Sequence, residues 1–328
     1  RLRQSLSEDE RRLASEGEGH PAVFDEALLQ SLSSFQGRHD IVRDSVLGPE
    51  TIEVLNTSVE DRIAAVEVAL ERWRWLPADL GDLAVLVNTP GREVHVLKDG
   101  VPHLSMKVII GQQEWETVLF QGEMDEIVVN PYWHIPESIM KSETLPKALA
   151  DDNYLVDNDF EIISFDTGEV VPMESVRWDD VVINSVGPDS VIVEGFPYRI
   201  RQKPGDKNAL GTVKFLFPNE FAIYLHDTPA GHLFDERLRT FSHGCVRVER
   251  PVELAHLLLN ERSTHSPQDY DSYLASREEH VMVLDPVPTY LIYQAVWVDD
   301  EGVPTFMPDV YGRNAEARAA LDAAYDTS

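Results

Sequence analysis

The sequence predicts an α+β protein, mostly β, with a small helical unit in front of the β-rich part and an insertion within it. Three observations carry this prediction. Apolar residues recur at helical spacing before residue 77. From residue 83, short β-branched runs alternate with tight-turn residues. An acidic stretch over 151–190, without a clear period, separates two groups of those runs. The chain has 328 residues, 43% hydrophobic and 26% charged, enough for two or three packed units and with no long disordered tract implied. The expected divisions are a polar segment at 1–20, a helical unit at 21–77, a β-rich unit at 78–298 interrupted at about 131–190, and a C-terminal extension at 299–328.

The segment 1–19 is polar, with little to bury. Phe24, Leu28, Leu32 and Phe35 then fall at helical spacing, and Gly37 marks the end. The run Leu47-Gly48-Pro49-Glu50-Thr51 reads as a turn into a second helix with Pro49 in its first turn. Ser58, with Asp61 three residues on, opens a third helix; Ile63, Val66, Leu70 and Trp73 are expected on its buried face, and Pro77 ends it. Strands are expected at 83–87, 94–97, 106–110 and 127–130, separated by Pro-Gly and Asp-Gly turns. A rigid loop, Asn130-Pro131-Tyr132-Trp133-His134-Ile135-Pro136, follows, and 138–150 is helical in part, interrupted by Pro146. Strands resume at 191–193, 221–225 and 246–248; Pro251 starts an apolar helix through Leu259, and 281–284 and 290–298 are late strands.

Charge excludes several classes of partner. Asp and Glu total 58 against 28 Lys and Arg, a formal net charge of -30. A surface this negative repels DNA, RNA and anionic lipid, and it fits a salty medium in which ions screen the self-repulsion. Cys245 is the single cysteine, so no intramolecular disulfide can form. No apolar run reaches 18 residues, so no integral membrane segment is expected in this chain. The first residue is Arg rather than Met, which fits a processed chain.

The chemistry concentrates in two segments. In Tyr224-Leu225-His226-Asp227-Thr228-Pro229 a histidine ends an expected strand, and Ser242-His243-Gly244-Cys245-Val246-Arg247-Val248 follows later. A thiol needs a base to become a nucleophile, and an imidazole can take its proton, lowering the thiol below its free value. Gly244 lets the backbone approach a substrate carbonyl, and N–H groups of Gly244 and Cys245 would hold an oxyanion. Zinc is the alternative use of His226, His232, His243 and Cys245, although the close paired spacings of structural zinc sites are missing.

These two segments strongly resemble the L,D-transpeptidase catalytic-domain family. Its signature is a His, a spacer, Ser/Thr-His-Gly-Cys and an Arg shortly after, matched here by His226, Ser242, His243, Gly244, Cys245 and Arg247. Supporting segments resemble the large periplasmic branch: Arg72-Trp73-Arg74-Trp75-Leu76-Pro77, the Trp133 loop, Gln202-Lys203-Pro204-Gly205, Asn208-Ala209-Leu210-Gly211, Lys214-Phe215 and Phe217-Pro218-Asn219. The residues Phe35-Gln36, Asp44-Ser45-Val46-Leu47-Gly48-Pro49-Glu50-Thr51 and Leu55-Asn56 resemble a peptidoglycan-binding domain, with Ser45 where many members have Gly.

The resemblance implies a ping-pong reaction in cell-wall biogenesis. Cys245 attacks a tetrapeptide stem, D-alanine leaves, a thioester remains, and the side-chain amine of a neighbouring diamino acid forms a 3→3 cross-link. In this reading His226 is the general base, and His243 is either a helper or a structural residue. Arg247 binds a substrate carboxylate or braces the loop. Tyr224, Trp133 and Ser242 contact the donor. Asp227, pointing to the other face of its strand, is a weak candidate to orient His226. No cofactor or metal is implied, the partner is peptidoglycan in the periplasm or cell envelope, and carbapenem β-lactams should acylate Cys245. Water as acceptor would make the enzyme an L,D-carboxypeptidase, and a non-catalytic wall-binding protein is the other alternative. The acidic insertion is expected to cap the groove.

Overall fold

The structure is a computed structural model and describes residues 24–178, 180–185, 187, 191–299 and 302–325. The polar segment expected at 1–20 lies outside the described residues.

Among the described residues three helices come first: α1 (Glu26–Arg38), α2 (Pro49–Asn56) and α3 (Val59–Trp73). Asp25 caps α1 by accepting the Leu28 N–H at 2.9 Å. Ser58 caps α3 by accepting the Asp61 N–H at 3.0 Å. Pro49 opens α2, where its missing N–H leaves no bond unmade. Leu28, Leu32 and Phe35 are buried, as their spacing predicts, whereas Phe24 is exposed. Gln36 is fully buried; its Nε2 donates to Asp44, the Val46 carbonyl and Thr51, and its Oε1 accepts the Ser45 N–H at 2.9 Å. The residues resembling a peptidoglycan-binding domain therefore hold their own loop together. Ser45 sits at φ 56°, a region glycine enters without strain.

Four strands follow: β1 (Leu83–Asn88), β2 (Glu93–Lys98), β3 (Val101–Gly111) and β4 (Gln121–Val129). Next come β5 (Trp133–His134), β6 (Phe160–Ser164), β7 (Val170–Val171), β8 (Val182–Ser185), β9 (Val191–Glu194) and β10 (Tyr198–Gln202). Then β11 (Val213–Leu216), β12 (Leu225–His226), β13 (Thr240–Ser242), β14 (Val246–Val248), α4 (Pro251–Arg262), α5 (Pro267–Ser276) and β15 (His280–Ile292) complete the β-rich part. The described residues end with β16 (Val296–Val298), β17 (Pro304–Phe306) and α6 (Arg313–Tyr325).

Among the described residues nine strands form one sheet, in the order β13-β3-β14-β12-β11-β4-β15-β1-β2, and β2 pairs with β3 as well. That extra pairing closes eight strands into a ring, with β13 attached at the end of β3. Leu83, Val85, Val87, Val96, Phe215, Leu225 and Val246 fill the shared core. Ala84 and Leu86 project the other way, where Leu76, Leu80 and Trp297 cover them. With both faces covered, β1 is apolar without alternation from Leu83 to Val87.

The insertion builds its own small sheet, β5-β10-β6-β7, and a hairpin, β8-β9. Its core includes Ile135, Leu145, Leu155, Ile162, Val193 and Ile200. It thus extends past residue 190, because β9 and β10 carry the apolar residues that pack against its helical segment. That segment runs through Pro146: Glu137–Ile139 is α-helical, Met140–Thr144 is a π-helical turn and Leu145–Ala150 is α-helical again. Proline crowds the carbonyl four residues back, and the wider turn relieves this. Asn208 stitches the two ends of the insertion, donating to the Pro131 and Lys203 carbonyls at 2.8 and 2.9 Å.

Three expectations are corrected. The strands expected at 281–284 and 290–298 are joined into β15, which runs on to Ile292, while 296–298 forms the separate strand β16; the register of β15 shifts between Val283 and Val287, and Pro286, lacking an N–H, sits in this bulge. The strand expected at 221–225 pairs only at Leu225–His226. Before it, the Asn219 side chain takes the carbonyls of Phe217 and Ile223 and the N–H groups of Phe221 and Ile223, replacing a ladder. On α3, Ile63, Leu70 and Trp73 are exposed, while Val68, Ala69 and Arg72 are buried. The Arg72 guanidinium donates to the Tyr293 carbonyl at 3.1 Å, Asn314 Oδ1 at 2.6 Å and the Arg313 carbonyl at 2.9 Å. A buried guanidinium needs acceptors, and these lie on the C-terminal side, so this contact orients the helix.

Candidate active site

His226 ends β12, and Cys245 immediately precedes β14. These strands are parallel, with Leu225 opposite Val246 and His226 opposite Arg247. Tyr224, His226, Cys245 and Arg247 consequently share one face. They open onto a cavity of about 390 Å³ together with Ser242, His243 and Trp133. Ala222, Trp115 and Glu143, which sequence reasoning did not single out, line it too. Glu143 and Trp133 come from the insertion, so the cavity lies between the ring of strands and that insertion.

His226 is buried, and its Nδ1 donates to the Asp227 carbonyl at 2.5 Å. A carbonyl only accepts, so the ring proton sits on Nδ1 and Nε2 keeps its lone pair. The main chain of Asp227 therefore orients the ring. Its carboxylate is engaged elsewhere, accepting from the Thr212 N–H and hydroxyl at 2.8 Å and the Thr228 N–H at 2.7 Å. Burial, reinforced by the Arg247 charge, pushes the His226 imidazole down to about 3.

Cys245 is half-buried by surface area, yet protein atoms crowd its sulfur. Burial pushes the thiol up to about 11, against the opposing pull of the Tyr224 N–H and hydroxyl and the Arg247 guanidinium. The expectation of a thiol lowered by its histidine is corrected: burial dominates. Sγ makes its hydrogen bond to the Ala222 carbonyl at 3.6 Å, and none joins it to His226 among the described residues. Ala222 presents that carbonyl from a left-handed conformation, φ 54°.

Gly244, at φ 105°, takes a turn that a side chain would strain. Its N–H, expected to face an oxyanion, is instead given to Ser242 Oγ at 3.2 Å. Ser242, expected to touch substrate, is 2% exposed and donates to the Cys245 carbonyl at 2.6 Å. Its hydroxyl is spent on the loop because both partners are within one turn of it. Among the described residues neither the His243 N–H nor the Cys245 N–H has an acceptor, which leaves the Cys245 N–H, next to the sulfur, available as a donor.

His243 pairs through Nε2 with Glu143 at 2.5 Å, and its ring lies 5.5 Å from Trp115. The Tyr224 ring lies 5.7 Å from His226, and burial raises its hydroxyl well above the usual range. Trp133 both lines the cavity and packs on the insertion core. Arg247 has a buried Nε without a partner, and no carboxylate pairs with its guanidinium among the described residues. Burial lowers this guanidinium below its usual value. His232 lies outside the cavity, in a short turn, and is exposed. No group of three His, Cys, Asp or Glu side chains among the described residues is arranged to hold a metal ion. A more open cleft of about 970 Å³, lined by Trp73, His95 and Trp297, lies across the ring and holds no cysteine.

Residues 82–271 match a model of the L,D-transpeptidase catalytic domain. A curated Haemophilus influenzae protein named "Putative L,D-transpeptidase" is 30% identical over 300 residues, spanning 91% of this chain and 58% of its own length. The chain thus spans less than two thirds of that relative. Among solved structures, an L,D-transpeptidase of Stackebrandtia nassauensis is 12% identical, with 89% of this chain and 90% of that one covered, at a TM-score of 0.28. L,D-transpeptidase 3 of Mycobacterium tuberculosis, solved with a faropenem-derived adduct, is 12% identical over 64% of this chain and 60% of its own, at a TM-score of 0.29. With more than half of its length matched, including both segments that carry His226 and Cys245, this chain belongs to the L,D-transpeptidase catalytic-domain family.

Proposed function

We propose that this chain is an L,D-transpeptidase that forms 3→3 cross-links in peptidoglycan through a thioester on Cys245. The observation that carries the reading is the shared cavity of Cys245, His226 and an unpaired Arg247 in a protein of net charge -30. An unpaired cation in so acidic a chain suits a substrate carboxylate, such as those of a diamino acid or a terminal D-alanine.

The thiol attacks the carbonyl joining the stem's third residue to D-alanine, and its proton passes to His226 Nε2 as the C–S bond forms. The oxyanion takes the Cys245 N–H. On collapse the C–N bond breaks, the proton returns to the departing amine, and D-alanine leaves a thioester. The side-chain amine of a second stem then attacks, gives a proton to His226, and expels the thiolate, which recovers that proton. The insertion serves as a cap that shields the thioester from water, linked to the catalytic loop by Glu143 and His243. The site of action is the periplasm or cell envelope, and carbapenem β-lactams acylate Cys245 by the same attack on a carbonyl.

The test is D-alanine release from a disaccharide tetrapeptide, with products separated. The full chain should release D-alanine and yield dimers, Cys245→Ala should do neither, and Arg247→Met should lose about 100-fold in kcat/KM. Shortened monomers without dimers would reassign the enzyme as an L,D-carboxypeptidase. Deleting the hairpin β8-β9 from the insertion should favour hydrolysis over transfer; an unchanged product ratio would sink the cap.

A further inference from the structure

The peptide joining Gly244 to Cys245 is held from behind by residues that neither the signature nor the cavity includes. Thr117 lies in the β3–β4 connection and is fully buried. Its Oγ1 accepts the Gly111 N–H at 2.9 Å and lies 2.9 Å from the Gly244 carbonyl. A carbonyl can only accept, so the hydroxyl proton must point to Gly244. Gly111 has no room for a side chain, since a Cβ there would lie 1.9 Å from the Trp115 carbonyl. The connection is therefore folded tightly against the end of β3, and Thr117 has one place to be.

A second hydroxyl fixes Thr117. Tyr311 OH accepts the Thr117 N–H at 3.2 Å and donates to the Gly111 carbonyl at 2.7 Å. The Tyr311 N–H in turn donates to Tyr293 OH at 3.0 Å, and Tyr293 OH donates to Asp309. Asp309 also accepts the N–H groups of Arg313 and Asn314 at 2.9 Å, at the start of α6. A continuous hydrogen-bonded line thus runs from the C-terminal segment to the carbonyl adjoining the nucleophile. Tyr293, Asp309 and Tyr311 all lie beyond the residues the family model matches.

A trans peptide is planar, with its C=O and N–H pointing opposite ways. Holding the Gly244 carbonyl therefore aims the Cys245 N–H. Ser242 secures the flanking groups, taking the Gly244 N–H and donating to the Cys245 carbonyl. The peptide between them is left for Thr117 to orient. We infer that Thr117, locked by Tyr311, is a positioning residue that holds the Cys245 N–H as the oxyanion donor, so that the C-terminal segment completes the active site. The inference rests on the thioester reading above. It adds that attack on a carbonyl, and not mere thiol reactivity, depends on Thr117 and Tyr311.

The test compares two reactions of the same thiol in the full chain. Acylation by imipenem passes through an oxyanion; alkylation by iodoacetamide does not. Thr117→Val should slow acylation about 10- to 100-fold, an oxyanion-donor effect, while alkylation stays within about twofold of wild type. Thr117→Ser, which keeps the hydroxyl, should restore acylation, and Tyr311→Phe should slow acylation alone. Equal slowing of both reactions, or a Thr117→Ser chain as slow in acylation as Thr117→Val, would overturn the inference. Tyr311→Phe carries the comparison by itself if Thr117→Val does not fold, and acylation at the wild-type rate in that chain would overturn it too. A wild-type chain that imipenem leaves unmodified while iodoacetamide alkylates it would strike at the thioester reading instead.

Discussion

Burial holds the Cys245 thiol at about 11 and the His226 imidazole at about 3, so at neutral pH neither group is charged. The nucleophile is then made during attack, by proton transfer, and does not pre-exist as an ion pair. Alkylation of Cys245 by iodoacetamide should rise about tenfold per pH unit from pH 7 to 9 without levelling off; a plateau in that interval would contradict this. The same burial sets a stability limit on the acid side. A histidine kept neutral by burial favours the folded state above its unfolded value of 6.5, and that contribution is lost as the pH falls toward 3. His39, lowered to about 3 chiefly by burial and then by Arg62, adds to the effect. Denaturant titrations should show stability falling through this window, by up to about 1.4 kcal/mol per pH unit for each histidine. His226→Gln should flatten the fall. The residue types of the site were legible in the sequence because a lone cysteine sits beside Ser-His-Gly and Arg. Their electrostatics were not, because burial depends on the insertion and on neighbouring strands. The hold on Gly244 was hidden for a related reason: Thr117 reaches it because β3 lies beside β13 and β14, and Tyr311 reaches Thr117 from the C-terminal segment.

At the scale of elements, local signals held where local chemistry decides. Ser58 with Asp61 and the position of Pro49 mark the starts of α3 and α2. Signals failed where a distant partner decides. Arg72 turns α3 toward acceptors more than 200 residues away in sequence, and the Asn219 side chain substitutes for a strand at 221–225. The docking of the helical unit follows the same logic. Asp40 pairs with Arg92, which is 2% exposed, and its carbonyl accepts from Arg237 at 2.9 Å. Asp40→Ala strands a buried cation and should cost about 3 kcal/mol by denaturant titration. A change below about 0.5 kcal/mol, typical of a surface site, would place the docking energy elsewhere.

Across the whole molecule, the ring of strands brings β12 and β14 together from segments well separated in sequence and closes only through the β2–β3 pairing. The mostly β character and the interruption after Asn130 were readable from periodicity. The closure was not, since no local pattern reports which edges meet. Net charge acts at this scale as well. At -30 the folded chain repels itself, and raising NaCl from about 0.1 M to about 1 M shortens the screening length from about 10 Å to about 3 Å. The melting temperature should rise over that range, and a flat or falling profile would remove salt adaptation as the reason for the acidity. The proposed reaction turns on one covalent intermediate. The most direct measurement is the intact mass of the full chain after mixing with a tetrapeptide muropeptide, in high salt with a chelator present. Wild type should gain a mass equal to the donor less D-alanine, and Cys245→Ala should gain none; folded wild-type protein with neither adduct nor released D-alanine would overturn the thioester reading.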